Sequence, residues 1–317
     1  LQLLQQRREA LKRYDQALGI YRQVGVRLGE ANTLKAIGDG LQFLHQGREA
    51  ISRYNQSLEI YRQVGDVLGE ANTLKAIGDG LQFLNQHNEA LSHYNQALGI
   101  YQQIAHRSGE ADTLRALGDV LQLLNCRQEA LTRYKAALSI YQEASDRTGE
   151  ALTLKASGDV LHQLQQSQLA LEHYDEALAI YREVGDRLGE AHTLKAIGDV
   201  LQFLKASREA LNHYDQALGI YRETAELTQE KFHERLGEAH TLKAIGDVML
   251  FLNQRSDALH RYTEALSIYR EVGDLLGEAN TLTVIGEMLQ DLDQRNDSLE
   301  HYVKALAIYR KMGNRLG

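Results

Sequence analysis

Apolar side chains recur along the chain at intervals of three and four residues, which is the spacing of an amphipathic α-helix. In one stretch Leu34, Ile37 and Leu41 form a single apolar stripe, and in the next stretch Tyr54 and Leu58 belong to a second one. A short polar segment separates the two stretches. The pattern therefore predicts a helical hairpin, whose first helix we call helix A and whose second we call helix B.

This hairpin pattern is repeated along the chain. The sixteen residues at 29–44 recur unchanged at 69–84. Successive repeats start forty residues apart, except for one interval of forty-eight residues. The predicted repeats begin at Gly29, Gly69, Gly109, Gly149, Gly189, Gly237 and Gly277. Residues 1–28 match the end of a helix A and a whole helix B, so we interpret them as a partial N-terminal repeat before seven repeats at 29–317. We expect a single solenoid domain that is a segment of a longer array.

The longer interval contains an eight-residue insertion near 225–232. Its residues are good helix formers, and eight residues correspond to about two helical turns. We expect a longer helix B at this point. A loop expansion without function is the alternative.

Glycine occupies a fixed place in the repeat. One lies in the middle of every helix A, although a glycine there costs about 1 kcal/mol relative to alanine. We therefore predict that helix B approaches closely at this point, with small residues such as Ala50 and Ser57 facing the glycine. The mid-helix glycines are Gly38, Gly78, Gly118, Gly158, Gly198, Gly246 and Gly286.

All sixteen tyrosines lie in helix B, as pairs seven residues apart such as Tyr54 and Tyr61. Seven residues span two helical turns, so each pair shares one face of the helix. We predict that the rings fill the seam between repeats with their hydroxyls at a polar edge; recognition of a ligand by the rings is the alternative. Between repeats, Gly65 is a predicted C-cap and Asp66 a predicted N-cap.

The sequence resembles the tetratricopeptide repeat at Leu34, Ile37, Gly38, Leu41, Ala50, Tyr54 and Ser57. The forty-residue period exceeds the usual 34, and the proline that commonly ends helix B is missing, as in the longer subclass that includes kinesin light chains, Leu-Gly-Asn repeat regulators and many bacterial arrays. The resemblance implies an all-α fold, a right-handed superhelical solenoid of stacked antiparallel helical hairpins. Helix A would line its concave face and helix B its convex side, and a peptide or protein segment would bind in the groove.

Helix A carries a second, polar stripe about 200° around the helix from its apolar stripe. The resemblance places this stripe on the concave surface, so its residues are the candidate peptide- or protein-binding site. We call them the polar ladder: Asn32, Lys35, Asp39, Gln42, Asn72, Lys75, Asp79, Gln82, Arg115, Asp119, Gln122, Lys155, Asp159, His192, Lys195, Asp199, Gln202, His240, Lys243 and Asp247. One interpretation is a track for an extended chain. The other is a solvated face on which Lys35 and Asp39 pair and stabilise helix A by roughly a few tenths of a kcal/mol.

An ionised aspartate only accepts hydrogen bonds. The aspartates of the polar ladder therefore favour a ligand with regularly spaced basic groups. The ladder also lacks the Lys/Asn/Arg cluster of tetratricopeptide repeats that clamp a C-terminal carboxylate. His192 and His240 occupy the same ladder position in neighbouring repeats, and we interpret them as polar surface rather than as a metal-binding or pH-sensitive pair.

Composition narrows the class of function. The chain has 317 residues, a formal net charge of −8 and a sequence pI of about 5.9, which argues against a nucleic-acid partner. It contains no apolar run of membrane-spanning length, which argues against a membrane partner. A single cysteine, Cys126, suits a reducing compartment, so we predict a cytoplasmic location. The sequence has no pattern typical of catalysis or of nucleotide or metal binding, so we predict no enzymatic activity and no cofactor.

Together these features predict a non-catalytic scaffold that binds a peptide or protein segment along the helix A surface. Two alternatives remain. The array is structural and associates with itself by stacking end to end, or it is the sensor or autoinhibitory arm of a larger bacterial signalling NTPase or protease.

Overall fold

The computed structural model describes residues 2–227, 231–291 and 293–313, which form fifteen α-helices and no β-strand. The helices of type A are α2 (Arg27–Phe43), α4 (Val67–Phe83), α6 (Arg107–Leu123), α8 (Arg147–Gln163), α10 (Arg187–Phe203), α12 (Phe232–Phe251) and α14 (Leu275–Asp291). Those of type B are α1 (Gln2–Val24), α3 (Gly47–Val64), α5 (His87–Gln103), α7 (Arg127–Glu143), α9 (Ser167–Val184), α11 (Ser207–Leu227), α13 (Arg255–Val272) and α15 (Arg295–Gly313). None of the described helices combines the length and apolar character needed to span a membrane.

The chain divides into two compact units, Leu1–Val160 and Leu161–Gly317. In the first unit each helix from α1 to α7 packs on the next, and α4 also contacts α2 and α6. In the second unit each helix from α9 to α15 packs on the next, and α10 also contacts α12. Each unit is therefore a stack of antiparallel helical hairpins, which confirms the predicted all-α repeat fold.

The connections between helices use left-handed backbone conformations. Gly65 has φ 74° at the end of α3, and the Asp66 side chain accepts a hydrogen bond of 2.9 Å from the Gly69 amide at the start of α4. Both predicted caps are confirmed. The turn from helix A to helix B instead uses a non-glycine residue, such as His45 with φ 59° or Asn85 with φ 59°.

Two regions depart from the standard repeat. Helix α1 runs unbroken from Gln2 to Val24, whereas the alignment with 41–65 predicts a turn near Gln6. No turn interrupts α1 among the described residues. At the insertion, α11 has 21 residues and α12 has 20, against 17 in α4 and 18 in α3. Within the insertion near 225–232, residues 228–230 lie outside the described residues.

Tyrosine rings occupy the space that the glycines of helix A leave open. A Cβ added at Gly78 would lie 2.5 Å from the Tyr94 ring, and one at Gly69 would lie 2.5 Å from the Tyr61 ring. The predicted close approach is confirmed, but the group that meets the glycine is a tyrosine ring rather than a small side chain such as Ala50. Tyr94 joins α5 to helix A of its own repeat, whereas Tyr61 joins α3 to helix A of the next repeat.

Tyr61 therefore fills the seam between repeats, as predicted, whereas Tyr94 fills the seam inside its own hairpin. Tyr94 is wholly buried and Tyr61 is 2% exposed. Their hydroxyls reach the polar edge of helix A, where Tyr61 donates to Asn32 Oδ1 at 2.6 Å. One ring therefore contacts two successive helices A, packing on the glycine of one and hydrogen bonding to the other.

Candidate functional site

The charged residues of the polar ladder pair within each helix A. Lys75 Nζ lies 3.2 Å from Asp79 Oδ2, one turn further along α4. The same ion pair forms, at 2.7 to 3.2 Å, in Lys35–Asp39, Lys75–Asp79, Arg115–Asp119, Lys155–Asp159, Lys195–Asp199 and Lys243–Asp247. These side chains are partly exposed, so the ladder residues of each unit form accessible, locally neutral pairs.

Helix B supplies the second partner of the ladder aspartates. Tyr94 donates a hydrogen bond of 2.7 Å to Asp79 Oδ1, while Lys75 occupies Oδ2. Burial, and then the charge of Asp79, raises the pKa of Tyr94 far above its usual value, so the hydroxyl stays protonated and remains a donor. Equivalent hydrogen bonds are Tyr54 to Asp39, Tyr134 to Asp119, Tyr214 to Asp199 and Tyr262 to Asp247. Each of these carboxylates is held from two sides.

The amides of the ladder also contact the tyrosines. The Tyr94 hydroxyl lies 3.0 Å from Gln82 Oε1 as well as 2.7 Å from Asp79 Oδ1, so these two oxygens share its one proton. Asn72 Oδ1 accepts from Tyr101 at 2.7 Å. The two N–H groups of the Asn72 amide take no part in that hydrogen bond and can donate to a ligand.

The two ladder histidines lie against tyrosines of helix B. His192 stacks at a tilt on Tyr221 and His240 on Tyr269, with ring centroids 5.5 Å apart in both pairs. Burial, and then the charge of Lys195, lowers the pKa of His240, although Asp274 lies 3.7 Å from its Nε2. Within the described residues no group of three or more His, Cys, Asp or Glu side chains is arranged to hold a metal ion.

The sequence analysis missed a second set of charged residues. Glu30 is only 7% exposed, and its carboxylate accepts hydrogen bonds from Arg22 Nε at 2.9 Å and from an Arg27 amino group at 2.6 Å. Burial raises the pKa of Glu30, but the hydrogen bond from Arg22 and the charge of Arg27 outweigh it and leave the pKa lowered. Related pairs recur where helix B of one repeat meets helix A of the next, such as Arg62–Glu70 and Arg182–Glu190.

These pairs are structural contacts between repeats, and the sequence does carry a signal for them. A glutamate follows the first glycine of each repeat, and an arginine often stands eight residues before that glutamate. The sequence analysis did not predict these Arg–Glu pairs, because only the packing of helix B on the next helix A shows that the two positions meet.

The sequence matches a known family over most of its length. A tetratricopeptide repeat model matches residues 1–63, 40–103, 69–143, 109–183, 150–223 and 214–271, and a second tetratricopeptide repeat model matches 279–312. The chain belongs to the tetratricopeptide repeat family. No curated protein gives a significant match to it.

Solved structures with a similar fold include a quorum sensor and a conjugation gene regulator. The apo form of the quorum sensor NprR from B. thuringiensis is 15% identical, with a TM-score of 0.74 over 95% of this chain and 83% of that chain. The apo form of RapI is 16% identical, with a TM-score of 0.71 over 90% and 99%. The Rap conjugation gene regulator of plasmid pLS20, solved in complex with the Phr* peptide, is 17% identical, with a TM-score of 0.60 over 90% and 76%. At these identities the likeness concerns the fold.

Proposed function

We propose that this chain is a non-catalytic protein-interaction scaffold that binds a peptide or protein segment along the helix A face, through the polar ladder. The observation that carries the proposal is the repetition of one partly exposed polar constellation at the same place in successive helices A. A ligand that crosses the helices A of one unit would meet the same groups once per repeat. The pLS20 regulator, which shares the fold and was solved with the Phr* peptide, supports a peptide as the partner.

The hydrogen bonds within the ladder favour binding. Asp79 is held by Tyr94 and Lys75, and Asn72 is held by Tyr101, before any ligand arrives. A ligand then loses less affinity to the ordering of these side chains. The lysine also keeps N–H groups beyond the one that it gives to aspartate.

The experiment is a selection of random twelve-residue peptides against the purified chain, followed by affinity measurement with altered chains. Replacing the pair, Lys75→Gln with Asp79→Asn, should weaken a selected peptide about tenfold, because charge-assisted hydrogen bonds are lost. The matched control is Glu9→Gln with Arg13→Gln, which removes an exposed pair of the same spacing from a helix B of the same unit. Equal affinities of the two variants would remove the polar ladder from the binding site.

A second candidate function is self-association, and the first and last described helices favour it. Ile20 on α1 is 59% exposed and Leu306 on α15 is 47% exposed, although Ile60 and Leu58, their counterparts in α3, are buried. Both of these helices are of type B, so a contact between α15 and α1 of another copy would not reproduce the internal contact of A on B. Light scattering over a concentration series tests this candidate; a mass that grows in the native chain but not in Ile20→Ser or Leu306→Ser would support it.

A further inference from the structure

One face of helix α1 is open, although the same face of α3 is covered. Tyr14 is 40% exposed and Tyr21 is 37% exposed, whereas the matching tyrosines of α3 are 1% and 2% exposed. The two alanines on this face are partly exposed, and the small residues at the same positions of α3 are wholly buried. Residues three and four apart share one face of a helix. We call the stripe formed by Ala10, Tyr14, Ala17 and Tyr21 the open face of α1.

The helix that covers this face of α3 is α2, a helix A. The Tyr54 ring of α3 lies where a Cβ added at Gly38 would be, at 2.4 Å, and its hydroxyl donates to Asp39 at 2.8 Å. The Ser57 hydroxyl donates to the carbonyl group of Ala31 at 2.8 Å, so the backbone of α2 lies directly on this face. The same contact of ring on glycine recurs where α4 covers α5 and α6 covers α7. In this unit the face is therefore the seat of a helix A with a glycine in its middle.

Helix α1 is packed on its other side only. Of the described helices, α2 is the one that packs extensively on α1. A Cβ added at Gly29 of α2 would lie 2.5 Å from the Tyr21 ring, and one added at Gly40 would lie 2.8 Å from Leu11. A groove of about 580 Å³ runs along the first part of the open face and is lined by Gln5, Gln6, Glu9, Ala10 and Arg13. The open face is thus a concave surface beside an established helix contact.

The link between helix A and helix B that holds the other hairpins together is missing from α1. In the hairpin of α2 and α3 the chain turns at His45, which has φ 59°. The matching residue of α1 is Gln5, and α1 is helical there because it runs unbroken from Gln2 to Val24. A helix that lies on the open face is therefore not joined to α1 by this turn, which favours a helix from a separate chain.

We propose that the open face of α1 binds an amphipathic α-helix of a partner chain that has the sequence character of helix A. The bound helix lies on α1 as α2 lies on α3. Its Leu and Ile side chains follow the stripe, a glycine in its middle receives the Tyr14 ring, and the aspartate after that glycine accepts from the Tyr14 hydroxyl. The inference goes beyond the proposed function, because it does not use the polar ladder of this chain.

The test uses a labelled peptide with the sequence of residues 66–84, which contains α4, and fluorescence anisotropy with the purified chain. Tyr14→Ala in the chain should weaken binding about tenfold, because the ring that the peptide buries is lost. Val24→Ser is the matched control on α1, since the equivalent Val64 stays 42% exposed in α3 although α2 covers that helix. It should leave the affinity unchanged. Both substitutions alter exposed side chains, so circular dichroism should show an intact fold.

A second peptide, with Gly78→Leu, tests the fit of the glycine on the ring. Leucine favours helix more than glycine does, so weaker binding of this peptide would not come from a loss of helix. Its side chain would overlap the Tyr14 ring, and the peptide should bind at least about tenfold more weakly than the unaltered one.

The absence of saturable binding by the unaltered peptide would overturn the inference, as would equal affinities of the two peptides or insensitivity to Tyr14→Ala. A mass that grows with concentration and depends on Tyr14, without binding of the peptide, would assign the open face to a second copy and also overturn it. The proposed function has a separate outcome. The chain with Lys75→Gln and Asp79→Asn should bind this peptide normally, and randomly selected peptides that depend on Lys75 and Asp79 but not on Tyr14 would uphold the scaffold alone.

Discussion

Tyr94 and Tyr14 occupy the same position of helix B, yet Tyr94 is wholly buried and Tyr14 is 40% exposed. Tyr94 packs on Gly78 of its own helix A and donates to Asp79. Tyr14 lies on α1, which has no helix A of its own among the described residues. The burial of a tyrosine in this protein therefore depends on the neighbouring helix. The same residue at the same position of helix B is buried where a helix A packs on it and partly exposed where none does.

The largest expected effect comes from removing one ring at each position. Tyr94→Ala should lower the free energy of unfolding of its region by about 3–5 kcal/mol, because it removes a buried ring and leaves a cavity. Tyr14→Ala should lower it by less than about 1 kcal/mol, since much of that ring is already in water. Urea unfolding of both variants measures the difference. Similar losses would mean that α1 is as tightly covered as α5.

Replacing a glycine by alanine should have a smaller effect on stability, with opposite signs at two positions. The comparison tests whether the Tyr94 ring can pack only on a glycine. Gly78→Ala should destabilise by about 1–3 kcal/mol, because its Cβ would lie 2.5 Å from the Tyr94 ring. Gly99→Ala, on α5, should stabilise by up to about 1 kcal/mol, because nothing lies within 4 Å of the added Cβ and alanine favours helix. Thermal unfolding of the two variants gives both signs. A stabilising Gly78→Ala would show that the ring moves aside at little cost.

The buried tyrosines also predict the response to alkaline pH. Burial, and then the charge of Asp112, raises the pKa of Tyr101 to about 12, whereas an unfolded tyrosine has a pKa of about 10. A raised folded pKa gives stability that is fully present below pH 10 and is lost as the pH rises toward 12. The urea concentration at the unfolding midpoint should therefore decrease as the pH is raised from about 10 to about 12. In the same range, phenolate absorbance at 295 nm should rise in step with loss of helix.

The smallest effect concerns an irregular repeat. Ser157 is buried in α8 at the position that Ile77 occupies in α4. Ser157→Ile should stabilise by roughly 1 kcal/mol, because an apolar side chain fits this position elsewhere in the array. Ile77→Ser is the matched reverse change and should destabilise by more, since it leaves a cavity. A loss of stability in Ser157→Ile would mean that the surroundings of α8 have closed around the smaller residue.

Local patterns were sufficient for much of the fold. The spacing of Leu34, Ile37 and Leu41 predicts α2, and Gly65 and Asp66 predict the junction of α3 with α4, because caps and amphipathic stripes depend on residues within a few positions of each other. These predictions are confirmed. The tyrosines seven residues apart predict rings in the seam between repeats, which holds for Tyr61 but not for Tyr94, since Tyr94 packs within its own repeat.

What the sequence left open involves partners far apart along the chain. The ring that meets Gly78 comes from Tyr94, which also donates to Asp79, and no local pattern indicates that these positions meet. The polar ladder stays a prediction as a binding site. The pairing of its charges, which was one interpretation of the sequence, is shown by ion pairs such as Lys35–Asp39 and Lys75–Asp79.

The sequence by itself determined the repeat, its helices, the caps and the polar stripe, since each of these follows from spacing along one helix. Only the tertiary structure decided which groups surround each ladder residue, because Asp79 accepts a hydrogen bond from Tyr94 on the neighbouring helix as well as one from Lys75 on its own helix. It also decided that α1 runs without an internal turn, although the matching residues at 41–65 contain one. The repeated residues set the local conformation, and the neighbouring helix set the environment of each side chain.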